Sequence, residues 1–545
     1  MIFGNRKPGE TEVQAMPTIA MAIMEQCGIR ELIDSLTCPD PQRILTPGHA
    51  VKALVGGFFM GMGRRPLYKI DRDYANAPVE LLFGEGVKAE NLNSRAFSRA
   101  LDDLYRLDLP ELTFEIHSRL CSMYGLIGFL YHMDSTNFGV SAIKIERDDP
   151  DAAIPEWNGH AKDGDNSRRV YNLQTVTDSN GMVCYEKPYD GSTSDERMNE
   201  DTIRYLSGKL NPKESTIVAD SKIVSGPLIR LMTELDFGFV SKCPLNFAEK
   251  VHDDIVYSVL NSRMNPSSYK DGWEVYDCSE TVDGIRLRFV AYRTPAGPER
   301  DIDYLRKQGL EEVKRRFGKF SKREFNCAED ARREFEEAMS KHVRSAYIVT
   351  GDILSFEIPE KYGRRGRPPA GWTPRMITQY RVDVRWEFSE GLAEELTSDR
   401  QVRVLVTNLP VSAKTRDNPR DGVSADDVLR IYMGQYKIER VFRTSKSEFQ
   451  MDSVCLHTPS RENAFMFVVS LATMIAGLIT TVVRREGILR TAEGMIDDLA
   501  RLDVVYDEEC DEGFLRGAKV AHEEFMTYTD ILKIRREDIF SHDGA

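Results

Sequence analysis

The stretch "LIGFLYHMDS", Leu126–Ser135, decides how the chain is read. It is a short apolar run closed by an acid, the pattern of a buried strand with Asp134 at its end. The segments after it keep changing period. "RRVYNLQTVTDSNGMVCYEKPYDG", Arg168–Gly191, is two strands around an Asp-Ser-Asn-Gly turn, a hairpin signal. "TSDERMNEDTIRYLSGKL" then reads as a capped helix, and "STIVADSKIVSG", Ser215–Gly226, as a second apolar strand closed by an acid, Asp220. A helix over 226–235 and a strand over 238–243 complete the series.

Strand, hairpin, helix, strand, helix, strand is a mixed α/β order that suits an RNase H-like core. The expected fold class is α/β, with the first part of that core over 125–244 and the second over 426–490. Between them, 245–425 reads as an insertion, strand-rich at "WEVYDCSETVDGIRLRFVAYR", "YRVDVRWEF" and "VRVLVTNLP" and carrying two charged helices. Upstream, 1–124 reads as a helical domain. "TPGHAVKALVGGFFMGMG" begins with a Thr cap and a Pro in the first turn, and "LNSRAFSRALDDLYRL" with a cap at Ser94. Such a domain suits DNA-end binding or a plain helical bundle equally. Downstream, 491–545 reads as an acidic, partly helical tail.

At 545 residues the chain exceeds one ordinary core, so about two to four domains are expected. Its 41% apolar and 29% charged content fits a globular protein rather than a disordered one. Nine scattered cysteines without a C-x-x-C pair argue against a disulfide framework and for a reducing, cytoplasmic compartment. Zinc-type Cys/His spacing is absent, so no structural zinc is expected. The N-terminus lacks the apolar core of a signal peptide. Net charge is −14, but residues 491–545 hold 15 acidic and 6 basic residues, a net of −9, which leaves room for basic surfaces elsewhere. "AFMFVVSLATMIAGLITTVV", Ala464–Val483, is uncharged and long enough to cross a bilayer. Its Ser, Thr and Gly content and its place behind an amphipathic helix favour a buried core helix, and no membrane partner is expected.

That amphipathic helix is "YMGQYKIERVFRTSKSEF", Tyr432–Phe449. Spacings of seven put Tyr432, Glu439 and Lys446 on one face, while Ile431, Ile438, Phe442 and Phe449 form an apolar stripe. If the strands ending in Asp134 and Asp220 are neighbours, their carboxylates converge, and Glu439 on a packed helix could close a three-carboxylate site. Hard oxygen ligands suit Mg²⁺, with Mn²⁺ able to substitute, and a cation makes the crowded acids tolerable. Two such ions support in-line attack on a phosphodiester.

With these residues in hand, the chain resembles bacterial insertion-sequence transposases of the DDE type, in the cut-and-paste group marked by a Y-(2)-R-(3)-E-(6)-K signature. "YMGQYKIERVFRTSK" has Tyr432, Gln435, Glu439 and Lys446 at those spacings, with Gln435 where the signature has Arg. "HMDSTNFGV" and "IVADSKIVSG" look like the family's first and second Asp segments, and "GHAKDGDNSRR" and "YDGSTSDE" like those between. The resemblance implies an RNase H-like fold with a β-rich insertion before the Glu. It implies a nucleoid-associated enzyme that binds terminal inverted repeats, cleaves DNA with Mg²⁺ and joins the end to target DNA, acting as a homodimer on paired ends. Asp134, Asp220 and Glu439 would then be catalytic metal ligands, and Tyr432 and Lys446 phosphate contacts. Gln435, a neutral amide, cannot supply the Arg's charge; Lys437, Arg440 or Arg443 could compensate. The alternative is a catalytically inactive DNA-binding protein derived from a transposase.

Other DNA contacts are suggested by composition. Lys162, with Arg168 and Arg169, lies between the first two core strands. Arg364, Arg365 and Arg367 belong to "YGRRGRPPAGWTPR", whose "RGRP" resembles a minor-groove AT-hook. "KRRFGKFSKR", Lys314–Arg323, has six bases with Phe317 and Phe320 interleaved, a phosphate-tracking pattern or an exposed helix end. Trp273 and Trp372 could stack on a flipped base or pack in a core.

Overall fold

A computed structural model of the chain describes residues 10–61, 67–140, 169–260, 264–294, 297–318, 320–340, 345–360, 369, 371–400, 402–412, 417–449, 453–454, 456, 458–507 and 512–539. Lys162, Arg168, Arg364, Arg365 and Arg367 lie outside the described residues, as does most of "GHAKDGDNSRR". The chain divides into two compact units, Met1–Pro244 with Thr407–Ala545, and Leu245–Val406.

The first unit opens with β1 (Glu10–Gln14) and a run of helices: α1 (Ala15–Gln26), α2 (Ile29–Thr37), α3 (Pro47–Phe59), α4 (Ile70–Asp73), α5 (Val79–Phe83), α6 (Ser94–Tyr105) and α7 (Leu109–Tyr124). α3 starts as its sequence asks, with Pro47 in the first turn and the Thr46 hydroxyl accepting from the His49 N–H at 3.2 Å. α6 starts one residue earlier than a Ser94 cap would put it. Asn93 is the cap, its side-chain oxygen accepting from the N–H groups of Arg95 and Ala96, because a carboxamide reaches both orphan donors.

The sheet of this unit follows. β2 (Leu130–Val140), β3 (Arg169–Thr177) and β4 (Val183–Asp190) are antiparallel neighbours, and the Asp178–Gly181 turn joins β3 to β4 as the sequence suggests. α8 (Asp195–Ser207), β5 (Thr216–Ala219), α9 (Gly226–Glu234) and β6 (Gly238–Lys242) come next, with β5 parallel to β2 and β6 parallel to β5. The spatial order is β4-β3-β2-β5-β6, a mixed sheet with β2 at its centre.

The second unit holds α10 (Glu249–Leu260), β7 (Asn265–Pro266), β8 (Glu274–Val282), β9 (Ile285–Arg293), α11 (Gly297–Phe317), α12 (Ala328–Ser340), β10 (Tyr347–Pro359), β11 (Met376–Phe388), α13 (Glu390–Arg400) and β12 (Arg403–Thr407). β10 and β11 pair along their full 13 residues. Val313 and Phe317 of α11 pack with Phe325, Tyr347, Val349, Val382 and Val384 into a core of their own. Phe317 is therefore a core residue, not an aromatic interleaved among exposed bases, and Phe320 packs against the same core. Trp273 stacks on Tyr292 at 5.5 Å, while Trp372 is 38% exposed.

Back in the first unit, the stretch read as one long amphipathic helix is broken. α14 (Ala425–Met433) stops at Gly434, α15 (Tyr436–Arg443) restarts after it, and a π turn spans Thr444–Glu448. β13 (Ser453–Val454) pairs with the end of β2. α16 (Pro459–Arg485) contains the uncharged stretch and is buried along nearly its whole length against α3, α6, α7 and β4. It is the one described helix long and apolar enough to cross a membrane, and 89% of its most apolar window lies inside the protein. The region read as an acidic tail is folded: α17 (Ala492–Leu499), β14 (Asp503–Asp507), β15 (Glu512–Arg516), α18 (Lys519–Ile531) and α19 (Arg536–Ile539). β14 pairs with β1 and with β15, so the two ends of the chain share a sheet.

Candidate active site

β2 is longer than the sequence suggests, and Asp134 lies inside it rather than at its end. Its polar second half, Ser135 to Asn137, reads as loop by hydropathy but is held by β3, with Asp134 opposite Thr175 and Thr136 opposite Leu173. Asp220 follows β5 directly and caps the short turn after it, its Oδ1 accepting from the Lys222 N–H at 3.0 Å. The parallel register of β2 and β5 ends with Met133 opposite Ala219. The next residue on each strand is Asp134 and Asp220. Neighbouring strands are about 4.8 Å apart, so the two acids emerge side by side. Both are partly exposed.

Side chains alternate along a strand, so His132, Asp134, Thr136 and Phe138 share one face of β2. α15 and the π turn cover that face. At one end Gln435 accepts from His132 Nδ1 at 3.3 Å and donates to the Met133 carbonyl at 3.1 Å. At the other the Lys446 ammonium donates to Thr136 Oγ1 at 2.7 Å and lies 5.0 Å from the centre of the Phe138 ring. Glu439 is one turn beyond Gln435 and two turns short of Lys446. It thus stands on the helix stretch that spans Asp134, and it is exposed. Ile438, Val441 and Phe449 face inward, with Phe449 packed 5.4 Å from Phe58 and 5.3 Å from Phe59 of α3.

Gly434 permits the close approach. A Cβ there would meet His132 Cε1 at 2.9 Å. The break it creates also corrects the seven-residue spacing: Tyr432 lies in the last turn of α14, and only Glu439 and Lys446 are on the continuous stretch beside β2. Gln435, expected at a phosphate, has its amide engaged by His132 and Met133. Arg443 is exposed at the end of α15.

The local electrostatics are mixed. Burial opposes the charge on Lys222, but Asp195, at 2.7 Å, and the fields of Asp220 and Asp134 outweigh it and hold its pKa up. One ammonium thus feels both aspartates. Burial, reinforced by Lys437, pushes His132 down to about 4, so its ring is neutral and Nδ1–H can serve Gln435. Asp134 Oδ1 accepts from the Ser135 N–H at 2.8 Å, and Asp220 is likewise turned to its own backbone. Among the described residues these three acids do not bring their oxygens within 4.8 Å of one another; His117, Cys121 and Asp178 are the only metal-ligating group that does. Sequence reasoning passed over that group because 57 residues separate Cys121 from Asp178.

The mixed sheet thus sets Asp134 on β2 level with Asp220 just after the parallel β5, and Glu439 on a helix that packs on β2. A family model described as a transposase DDE domain matches residues 132–475, which takes in Asp134, Asp220 and Glu439. The chain belongs to this transposase DDE-domain family. Residues 11–118 match a second model, a domain of unknown function (DUF4277). No curated protein matches the chain. Solved structures similar to it include a piggyBac transposase synaptic complex with hairpin DNA, at 10% identity and a TM-score of 0.38 over 98% of this chain and 88% of that one; a likeness of that degree carries no argument about this chain.

Proposed function

We propose that the chain is an insertion-sequence transposase with an RNase H-like core, which binds terminal inverted repeats and cleaves and joins DNA through Asp134, Asp220 and Glu439. The observation that carries the reading is the register that sets Asp134 beside Asp220, with Glu439 on the helix pinned to β2 at Met133 and Thr136. Three carboxylates are the hard oxygen donors that Mg²⁺ or Mn²⁺ takes, so the residues fit a divalent ion. When bound, such ions activate the entering oxygen and stabilise the leaving one.

The protein's own residues do the rest. The Gln435 and Lys446 contacts fix Glu439 along β2. Arg443, Lys446 and Tyr432, on the same stretch of chain as Glu439, would take phosphates, with Lys162, Arg364, Arg365 and Arg367 as further DNA contacts. Lys446 suits that role as a compact point charge. The helical region over 1–124 would bind the DNA ends, and two copies would pair them.

The test is strand cleavage on a terminal-repeat duplex in Mg²⁺. Asp134→Asn, Asp220→Asn and Glu439→Gln should each lower cleavage by at least about a hundredfold, roughly 3 kcal/mol in the barrier, while gel-shift affinity for the repeat stays within a few fold. Variants that still cut at the parent rate would reject the assignment.

A further inference from the structure

His117 and Cys121 stand one turn apart on α7, and Asp178 opens the turn between β3 and β4. His117 Nε2 lies 3.2 Å from Asp178 Oδ2 and 3.3 Å from Cys121 Sγ, and that sulfur is 3.9 Å from the same oxygen. His117 is 7% exposed and Asp178 3%. A nitrogen, a sulfur and an oxygen therefore face one buried point.

Hydrogen bonding accounts for these three contacts only loosely. A ring nitrogen carries either a proton or a lone pair. If Nε2 donates to the carboxylate, it cannot accept from the thiol, whose proton then reaches the same oxygen only at a long 3.9 Å. If it accepts from the thiol, it meets the carboxylate lone pair to lone pair. The arrangement is not a nucleophile relay either, since there the acid orients the ring nitrogen that does not face the nucleophile. Here both contacts fall on Nε2, and Nδ1 is buried with no hydrogen-bond partner among the described residues.

A cation would engage all three groups at once. Tetrahedral zinc bonds of about 2.0–2.3 Å give ligand-to-ligand edges of about 3.3–3.6 Å, and the observed edges of 3.2, 3.3 and 3.9 Å bracket that range. The carboxylate is already aimed. Asp178 Oδ1 accepts from the N–H groups of Asn180 and Met182, both at 2.9 Å, leaving Oδ2, steadied by Asn180 Nδ2 at 2.9 Å, to face the cluster.

We propose that His117, Cys121 and Asp178 bind one zinc-class divalent cation, which fastens α7 to the β3–β4 turn. The Cys121 thiol gives up its proton to solvent on binding, so affinity rises with pH. The fastened turn also touches the catalytic helix: the Ser179 carbonyl accepts from Lys437 on α15 at 2.5 Å. The cation would therefore stiffen the support under Glu439 without joining the carboxylate site.

The test uses the full-length chain, free of added histidines. After gel filtration it should carry about one zinc per chain by elemental analysis, and an Asp134→Asn, Asp220→Asn, Glu439→Gln triple variant should keep it. Cys121→Ser and His117→Gln should each lose it. Titrating metal-stripped protein with Co²⁺ should give intense tetrahedral bands and a near-ultraviolet thiolate-to-cobalt band, absent in Cys121→Ser. Should the single variants fail to fold, the cobalt spectrum of the parent chain decides. No thiolate band in the parent, or undiminished zinc in a folded Cys121→Ser, would overturn the proposal.

Discussion

A carboxamide at 435 accepts from His132 with its oxygen while its nitrogen donates to the Met133 carbonyl. A guanidinium only donates, so an arginine could meet His132 only in the tautomer whose Nδ1 accepts. Gln435 thus suits a chain whose buried His132 is neutral, and its departure from the signature has a local reason that no spacing rule could reveal. Glu462, at the start of α16, illustrates the opposite case, a buried acid whose Oε1 has no hydrogen-bond partner among the described residues. It is 3% exposed, and burial pushes its carboxyl up to about 8 from an ordinary 4.5. Folding therefore favours its neutral form. Its stabilising share is intact below pH 4.5 and is lost as pH rises through 8. Glu462→Gln should remove that loss, so that between pH 5 and pH 9 the parent falls by a few kcal/mol more than the variant. Urea unfolding at the two pH values measures this; parallel profiles would mean that the carboxylate is solvated.

Elements bounded by local chemistry were legible in the sequence, and those bounded by distant partners were not. The Asp178–Gly181 hairpin, the Thr46 cap and the burial of α16 follow from turn residues, capping and hydropathy. The polar end of β2 is a strand only because β3 pairs with it, and the neighbour that Gly434 makes room for is His132, which lies 303 residues from Gln435. α1 and α3 carry another contact of this kind. Lys52, wholly buried, donates to Glu25 at 2.6 Å and to the Leu82 carbonyl at 2.8 Å, while Arg30 holds the same glutamate. A lysine inside an apolar helix gives no hint of its partner. Lys52→Met should cost about 3 kcal/mol, the low end for a broken buried pair because Arg30 still compensates Glu25. Combining it with Glu25→Leu should recover much of the loss. Guanidinium unfolding of the three variants checks the pairing, and additive losses would show that the two groups act separately.

At the level of the whole chain, charge counting and pairing point in different directions. The excess of acid after Thr491 suggests a solvated tail, yet Val504, Phe525, Tyr528 and Leu532 from this region lie in the same core as α1, α3 and α16. β14 supplies β1 with its hydrogen-bonding partner across nearly 500 residues, and Arg516 reaches back to Glu10 and Glu12. Among the described residues these acids, Asp538 excepted, occupy exposed or half-buried positions of elements whose inward positions are apolar, so net charge reports the surface and not the fold. Ending the chain after Ala500 should therefore remove more than a tail. It would leave the edge of β1 unpaired and expose the apolar faces of α1 and α16, an aggregation hazard. The expected outcome is loss of the monodisperse species in gel filtration, whereas ending the chain at Ile539 should leave it unchanged. Phe525→Ala, a milder lesion in the same place, should cost about 3–5 kcal/mol. A chain ending at Ala500 that stays monodisperse and as stable as the parent would mean that the acidic region is dispensable after all.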